Sequence, residues 1–198
     1  MGARARSLSI GALVAMSVVL NLAEGVLGQP AFARVLRAVA VVQGAPGSGI
    51  SGVVHFIQTR ADGNVPDGGV WVIARVEGLT PGPHGFHIHE IGTCEPPSFT
   101  AAGGHFDPGP FGSSTPVDAN HPFHMGDLPN LVVDPAGVGH LNTLTSRITL
   151  SPGPLSVLDA DGSAVIVHLN PDLGQTGVTG ASGGPRIACG VVESTTSE

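Results

Sequence analysis

The chain of 198 residues carries 15 acidic residues against 8 basic ones, and all 8 basic residues are arginine. The formal net charge of −7 disfavours nucleic acid and anionic membrane surfaces as partners, because both repel an acidic protein. Its 30 Gly and 17 Pro residues are typical of a β-rich domain with long loops.

Residues 1–33 are predicted to form an export signal peptide. Two arginines supply a positive start, residues 8–22 form an apolar run, and Ala31–Ala33 is a small-x-small cleavage site. The alternative is an uncleaved membrane anchor, but the run is short for a spanning helix and its tail is broken by Gly and Pro. We therefore expect a mature chain that starts near Arg34.

The remaining residues, 34–198, are predicted to form one domain. Removing the leader leaves 165 residues with six arginines and 14 acidic residues, a formal charge of about −8. A chain of that length can bury one sizeable core. The sequence contains no internal repeat and no sign of a second domain.

Short β-rich runs, not helices, follow one another along this domain. Each combines β-branched or aromatic residues and is bounded by turn-forming clusters of Gly, Pro, Asn and Asp. The predicted strands are Val39–Val42, Gly52–Ile57, Val70–Val76, His84–His89, Leu131–Val133, Arg147–Leu150 and Ala164–Val167. This pattern predicts an all-β sandwich or barrel.

Two histidines in one predicted strand are the first sign of a metal site. His87 and His89 are two residues apart, so in a strand both side chains project from the same face. Such a pair alone is more often two surface histidines. The long loop 90–129 makes a metal site the better interpretation, because it carries His105, His121, His124 and Asp127. Loops of this length are usually functional or disordered.

The two cysteines of the chain, Cys94 and Cys189, form an even pair. In an oxidising compartment such a pair indicates one disulfide. The two cysteines are 95 positions apart, and closing a loop of that length stabilises the fold by roughly 4 to 5 kcal/mol in the chain-entropy model. The alternative is two buried free thiols. Their spacing does not match a Cys-x-x-Cys metal or redox motif.

Several motifs together resemble the secreted Cu/Zn superoxide dismutase family. The similarity runs from about Val39 to Val192. Its blocks are Gly78–Thr80, His84–His89, Ala102–Phe106, His124–Leu128, Val167–His168 and Gly184–Gly190. The resemblance implies a flattened eight-stranded antiparallel Greek-key barrel or sandwich with long metal-binding loops.

The resemblance also implies a copper ion beside a zinc ion. The residues that match the family's copper ligands are His87, His89, His105 and His168. The bridging residue between the two metals matches His105. Two further zinc ligands match His124 and Asp127, and imidazole and carboxylate are sound zinc donors.

Other positions match residues that assist the metals. Arg186 corresponds to the arginine that holds the superoxide anion, and His105 to the group that supplies a proton. Asp172 corresponds to the carboxylate that orients ligands of both metals. Cys94 and Cys189 correspond to the family's disulfide. His84, His55 and His140 are predicted to be structural or surface histidines and not ligands.

The implied reaction is the disproportionation of superoxide, a small-molecule substrate, to dioxygen and hydrogen peroxide. A non-catalytic relative that binds, stores or delivers copper is the alternative, and a copper-only dismutase is another. An anion-binding Arg186 favours the enzyme, since storage needs no anion site. Export implies a periplasmic, cell-wall or extracellular location, with no membrane partner after the signal peptide is cleaved. For the oligomeric state, a monomer and a homodimer are both open.

Two departures from the family pattern affect these expectations. The family's zinc-only histidine has no counterpart in residues 106–120. His121 lies unusually close to His124 in the sequence. Either His121 replaces the missing zinc ligand, or zinc is bound weakly with a water, or the protein binds only copper. The loop 169–185 is short and contains no Lys or Arg, which predicts weak long-range guidance of superoxide.

Overall fold

The computed structural model describes Gly2 and residues 35–58, 69–109, 124–175 and 178–195. The predicted signal peptide and His121 lie outside the described residues, so both stay predictions. Within the described ranges, no helix is long and apolar enough to cross a membrane. The strands all belong to one compact unit, Ala33–Glu198.

Nine antiparallel strands form one sheet in the described part of the chain. They are β1 (Leu36–Gly44), β2 (Ser51–Gln58), β3 (Val70–Glu77), β4 (Gly82–His84), β5 (Phe86–His89), β6 (Leu131–Val133), β7 (Val138–Thr145), β8 (Ala164–His168) and β9 (Arg186–Ser194). Neighbouring strands follow the order β4-β6-β7-β3-β2-β1-β9-β8-β5. The two outermost strands are consecutive in the chain, so the sheet curls into a nearly closed barrel and the all-β prediction is confirmed.

The described residues form nine strands where the resemblance implied eight, because Gly85 divides the predicted strand 84–89. Before Gly85 the chain pairs with β6, and after it the chain pairs with β8. The Gly85 N–H donates to the carbonyl of Asn170 at 2.8 Å, and its own carbonyl accepts the His168 N–H at 2.8 Å. One segment therefore closes the barrel and leads directly into the His87 and His89 positions.

The core follows from simple alternation in most strands. In β3, Val70, Val72, Ala74 and Val76 are buried while the residues between them are exposed. In β5, by contrast, all four residues are buried. This strand has apolar packing on one side and a covering loop on the other, and the covered side carries the two histidines.

One predicted strand is wrong and two strands were missed. The predicted strand Arg147–Leu150 forms only an isolated bridge from Thr149 to Ser156, because the Gln58 side chain accepts the N–H groups of Leu150 and Ser151. The strands β7 and β9 were not predicted. Polar residues and glycines interrupt the apolar alternation in β7, and its place in the sheet comes from pairing with β3.

Candidate metal centre

Four histidines converge at one end of the barrel. His87 and His89 come from β5, His168 ends β8, and His105 pairs with His89 through an isolated antiparallel bridge. All four residues are buried, and their potential ligand nitrogens lie within 4.8 Å of one another. The structure therefore brings together all four residues that were predicted to hold copper.

A second cluster shares His105 with the first. The potential ligand atoms of His105, His124 and Asp127 also lie within 4.8 Å of one another, and all three residues are buried. His105 Nδ1 is 2.6 Å from Asp127 Oδ1. Because Nδ1 faces Asp127, Nε2 of the same ring points to the opposite side.

The turn that carries His124 and Asp127 is held against β5. The His124 N–H donates to Asp127 Oδ2 at 3.1 Å, and the Asp127 N–H donates to the His124 carbonyl at 3.2 Å. Gly126 permits the close approach, since a Cβ there would lie 2.3 Å from the carbonyl oxygen of Ile88. The covering loop is thereby attached to the strand that bears the first two histidines.

Two imidazoles in the first cluster have a fixed orientation and an unused nitrogen. His89 Nδ1 lies 3.0 Å from the Gly103 carbonyl and His168 Nδ1 lies 2.8 Å from the Gly184 carbonyl. A carbonyl only accepts, so each Nδ1 carries the hydrogen and each Nε2 presents a lone pair. Both Nε2 atoms are buried and have no hydrogen-bond partner among the described residues.

Burial keeps these rings neutral. Desolvation, followed by the repulsion of neighbouring His87, lowers the pKa of His105 to about 4 and that of His168 to about 3. Desolvation and then His105 hold the pKa of His89 well below its usual value. Neutral buried imidazoles whose ring nitrogens can donate a lone pair are the donor set that copper and zinc prefer. The residues present therefore fit a metal ion of this kind.

Asp172 lies against a member of the first cluster. Its Oδ2 is 2.7 Å from His87 Nε2, and its Oδ1 accepts the Gly174 N–H at 2.7 Å. Asn130 fixes the backbone of Asp172, donating to its carbonyl at 2.9 Å and accepting its N–H at 2.8 Å. A carboxylate in this position can set the orientation of the His87 ring.

Arg186 stands at a small cavity above the first cluster. The cavity has a volume of about 180 Å³, and its lining includes His89, His105, His168 and Arg186. The guanidinium donates to the Phe99 carbonyl at 2.9 Å and to the Gly103 carbonyl at 2.7 Å. Burial lowers the pKa of Arg186 and Glu90 opposes that effect, but a guanidinium stays charged in proteins.

One carbonyl serves both the arginine and a histidine. The Gly103 oxygen accepts Arg186 Nη2 and His89 Nδ1. Gly103 has a φ of 74°, a left-handed conformation that favours glycine. A Cβ at this position would also lie 2.7 Å from the Glu90 side chain. A residue with a side chain is therefore strained here by the backbone conformation and would also displace the Glu90 side chain.

The predicted disulfide is confirmed. Cys94 and Cys189 are bonded with a Cα–Cα distance of 5.6 Å, so the open alternative of two free thiols is wrong. The bond joins the start of the covering loop to β9. Arg186 begins the same strand, so the loop that supplies its carbonyl acceptors is attached close to the residue that uses them.

The other three histidines among the described residues lie outside both clusters. His84 is buried, with its ring nitrogens 2.7 Å from the His168 carbonyl and 2.8 Å from the Thr80 carbonyl. It links the segment before β5 to the end of β8, as expected for a structural residue. His55 and His140 are exposed on β2 and β7.

Two buried or half-buried charged residues, Arg147 and Asp107, were missed in the sequence. Arg147 donates from Nη1 to the His124 carbonyl at 3.2 Å and from Nη2 to the Asp127 carbonyl. Asp107 is buried, and neither carboxylate oxygen has a hydrogen-bond partner among the described residues. The spacing of two from His105 in an extended segment was the available signal for Asp107. Nothing in the sequence pattern indicated Arg147.

Comparison with known proteins places this site in a family. The family model for copper/zinc superoxide dismutase matches residues 50–192. The chain is 42% identical over 134 residues to the superoxide dismutase [Cu-Zn] of Deinococcus radiodurans, covering 63% of this chain and 71% of that protein. It is 38% identical over 164 residues to the extracellular superoxide dismutase [Cu-Zn] of Onchocerca volvulus, covering 79% and 75%.

Solved structures agree with that assignment. A SOD-like protein from Bacillus subtilis superposes with a TM-score of 0.62 at 31% identity, covering 77% of this chain and 96% of that one. Its double mutant, in which a tyrosine and a proline are replaced by histidines, gives a TM-score of 0.62 at 34% identity, with coverage of 77% and 95%. The chain belongs to the copper/zinc superoxide dismutase family.

Proposed function

We propose that this protein disproportionates superoxide at a copper ion held by His87, His89, His105 and His168. The observation that carries the proposal is the pair of buried Nε2 atoms, on His89 and His168, that face the cluster without a hydrogen-bond partner among the described residues. Leaving such polar atoms buried is unfavourable unless a ligand satisfies them. An adjacent zinc ion is assigned to His105, His124 and Asp127.

The residues around the first cluster divide the reaction between them. When bound, copper supplies one-electron redox chemistry and zinc supplies a fixed structural charge beside it. Arg186 binds the incoming anion at the cavity through its charged guanidinium. Asp172 orients the His87 ring from outside the cluster. Two superoxide anions and two protons together yield dioxygen and hydrogen peroxide.

His105 is assigned the proton transfer. Its Nδ1 is held by Asp127 at 2.6 Å, which leaves Nε2 directed at the first cluster. Burial disfavours the imidazolium form of this ring, so a proton taken up at Nε2 is readily given to the forming peroxide. With zinc bound, His105 and Asp127 would both be held by that ion, which would keep the ring in place while the proton moves.

The alternative function is copper binding without catalysis. Arg186 argues against it, since its cationic group lines the same cavity as three of the four imidazoles and storage requires no anion site. Metal analysis of the purified protein together with a superoxide-decay assay distinguishes the two. Stoichiometric copper with catalysed decay supports the enzyme, and stoichiometric copper with only spontaneous decay supports storage.

The fourth zinc donor is proposed to be His121. The described cluster offers three donors, whereas a structural zinc site takes four. We expect His121→Ala to weaken zinc binding by the apoprotein at least tenfold. Asp107→Asn is the matched variant, because Asp107 is a buried carboxylate two residues after His105 that belongs to neither cluster. Undiminished binding of one zinc equivalent by His121→Ala contradicts the assignment.

The response of the rate to salt tests how superoxide arrives. The loop 169–185 has no basic residue, so superoxide is attracted only at short range, by the metal and Arg186. The repulsion of superoxide by the net negative charge of the protein is screened beyond about 8 Å at physiological ionic strength. We expect a rate that is flat or rises slightly from low to moderate salt. Arg186→Ala should be slower at every ionic strength, by about tenfold for one lost charge-assisted contact. A steep fall with salt would mean that attractive steering comes from other residues.

Export is proposed on sequence grounds. A signal peptide at residues 1–33 followed by a dismutase domain at 34–198 accounts for the arrangement of the chain, and a relative is named as extracellular. The Cys94–Cys189 disulfide favours an oxidising compartment. We therefore assign the mature protein to the periplasm, the cell wall or the extracellular space.

A further inference from the structure

Arg147 reaches the second cluster from a different part of the barrel. It follows β7, is half-buried, and its N–H donates to Thr145 Oγ1 at 3.2 Å. Its two terminal nitrogens donate to the backbone carbonyls of His124 and Asp127. Both acceptors belong to residues whose side chains are assigned to zinc.

The acceptors lie at the two ends of one turn. That turn is closed on its inner side by two hydrogen bonds between His124 and Asp127. The planar fork of a guanidinium spans two oxygens at once with a fixed geometry. Arg147 therefore restrains, from the outside, the distance between the two residues that must present their side chains to the same ion.

We propose that Arg147 is a positioning residue for the zinc half of the site. It fixes the backbone of the His124–Asp127 turn before metal binds, and it contacts no metal itself. This inference rests on the proposed function, because it takes that turn as a zinc ligand turn. Its two carbonyl acceptors both lie in the turn, so the effect is directed at zinc more than at copper.

The expected result is a selective loss of zinc affinity. Removing groups that orient metal ligands costs about 10- to 100-fold in affinity. We expect Arg147→Ala to raise the zinc dissociation constant of the apoprotein at least tenfold and to change that of copper less than threefold. Arg147→Lys should be intermediate, because an ammonium is a point charge and lacks the fork that engages both carbonyls.

The experiment uses chelator competition with zinc and with copper on the full apoprotein. Cobalt(II) absorption at the zinc site adds a readout of tetrahedral geometry. Arg75→Ala is the matched control, since it removes the same charge from an exposed pair with Glu77. The melting temperature of each apoprotein separates a local change from a general loss of structure.

The outcomes distinguish this inference from the proposed function. Unchanged zinc affinity in Arg147→Ala overturns the inference alone. Equal losses of zinc and copper, accompanied by a lower melting temperature, also overturn it, because Arg147 would then be a general structural residue. Failure of the wild-type apoprotein to bind zinc overturns the zinc assignment itself, and the inference with it.

Discussion

Replacement of His168 or His87 by alanine is expected to reduce superoxide dismutation to the uncatalysed rate. Each substitution removes one of the four imidazoles whose nitrogens lie within 4.8 Å of one another. With three donors left in a buried cavity, copper binds more weakly and in a different geometry. Copper content and superoxide decay, measured on the same preparation, should fall together.

The control for this prediction is a histidine outside the clusters. His140 is exposed on β7, and His140→Ala should retain activity within twofold of the wild type. His168→Gln provides a second variant that preserves side-chain size and a donor for the Gly184 carbonyl, so inactivity cannot be attributed to misfolding. Equal loss of activity in the His168, His87 and His140 variants would refute the site assignment.

Reduction of the Cys94–Cys189 bond is expected to lower the melting temperature by roughly 10 °C or more. The bond joins residues 95 positions apart, and closing a loop of that length stabilises the fold by about 4 to 5 kcal/mol in the chain-entropy model. For a domain of this size each kcal/mol shifts the melting temperature by about 2 to 4 °C. Calorimetry with and without reductant measures the difference.

The double variant Cys94→Ser with Cys189→Ser is the control for reduction. It should melt at the reduced protein's temperature and show no further change when reductant is added. The reduced protein should also lose activity below its melting temperature. The carbonyls of Phe99 and Gly103 that hold Arg186 lie in the loop that the disulfide attaches to β9. A shift of less than about 2 °C would contradict the prediction.

Local sequence pattern was sufficient for the regular strands. The strand β3 can be predicted from its sequence, because buried apolar residues alternate with exposed residues along its whole length. The strand β7 could not be predicted in this way, because Gly139, His140 and Asn142 interrupt the alternation of apolar and polar residues. Backbone pairing along β3 stabilises it instead. Pairing between distant strands leaves no local signature in the residues that take part.

The residues of the site also fall into those that the sequence predicts and those that only the structure shows. The spacing of His87 and His89 shows their common face directly, and the resemblance supplied His105, His124, Asp127 and His168. Arg147 could not be found by either route, because its acceptors are backbone carbonyls, which every residue has. A side chain whose role is to bind backbone carbonyls can be identified only from the three-dimensional structure.

The shared oxygen of Gly103 has a consequence for how this protein can vary. Arg186 and His89 both donate to that one atom, so the distance between the anion-binding group and a metal ligand is set within a few bonds. It does not depend on the length of residues 169–185, which frame the other side of the cavity. Within that loop, Asp172 and the Gly184 carbonyl hold the rings of His87 and His168, so a change in its length acts on these two ligands and leaves the spacing of Arg186 and His89 unchanged.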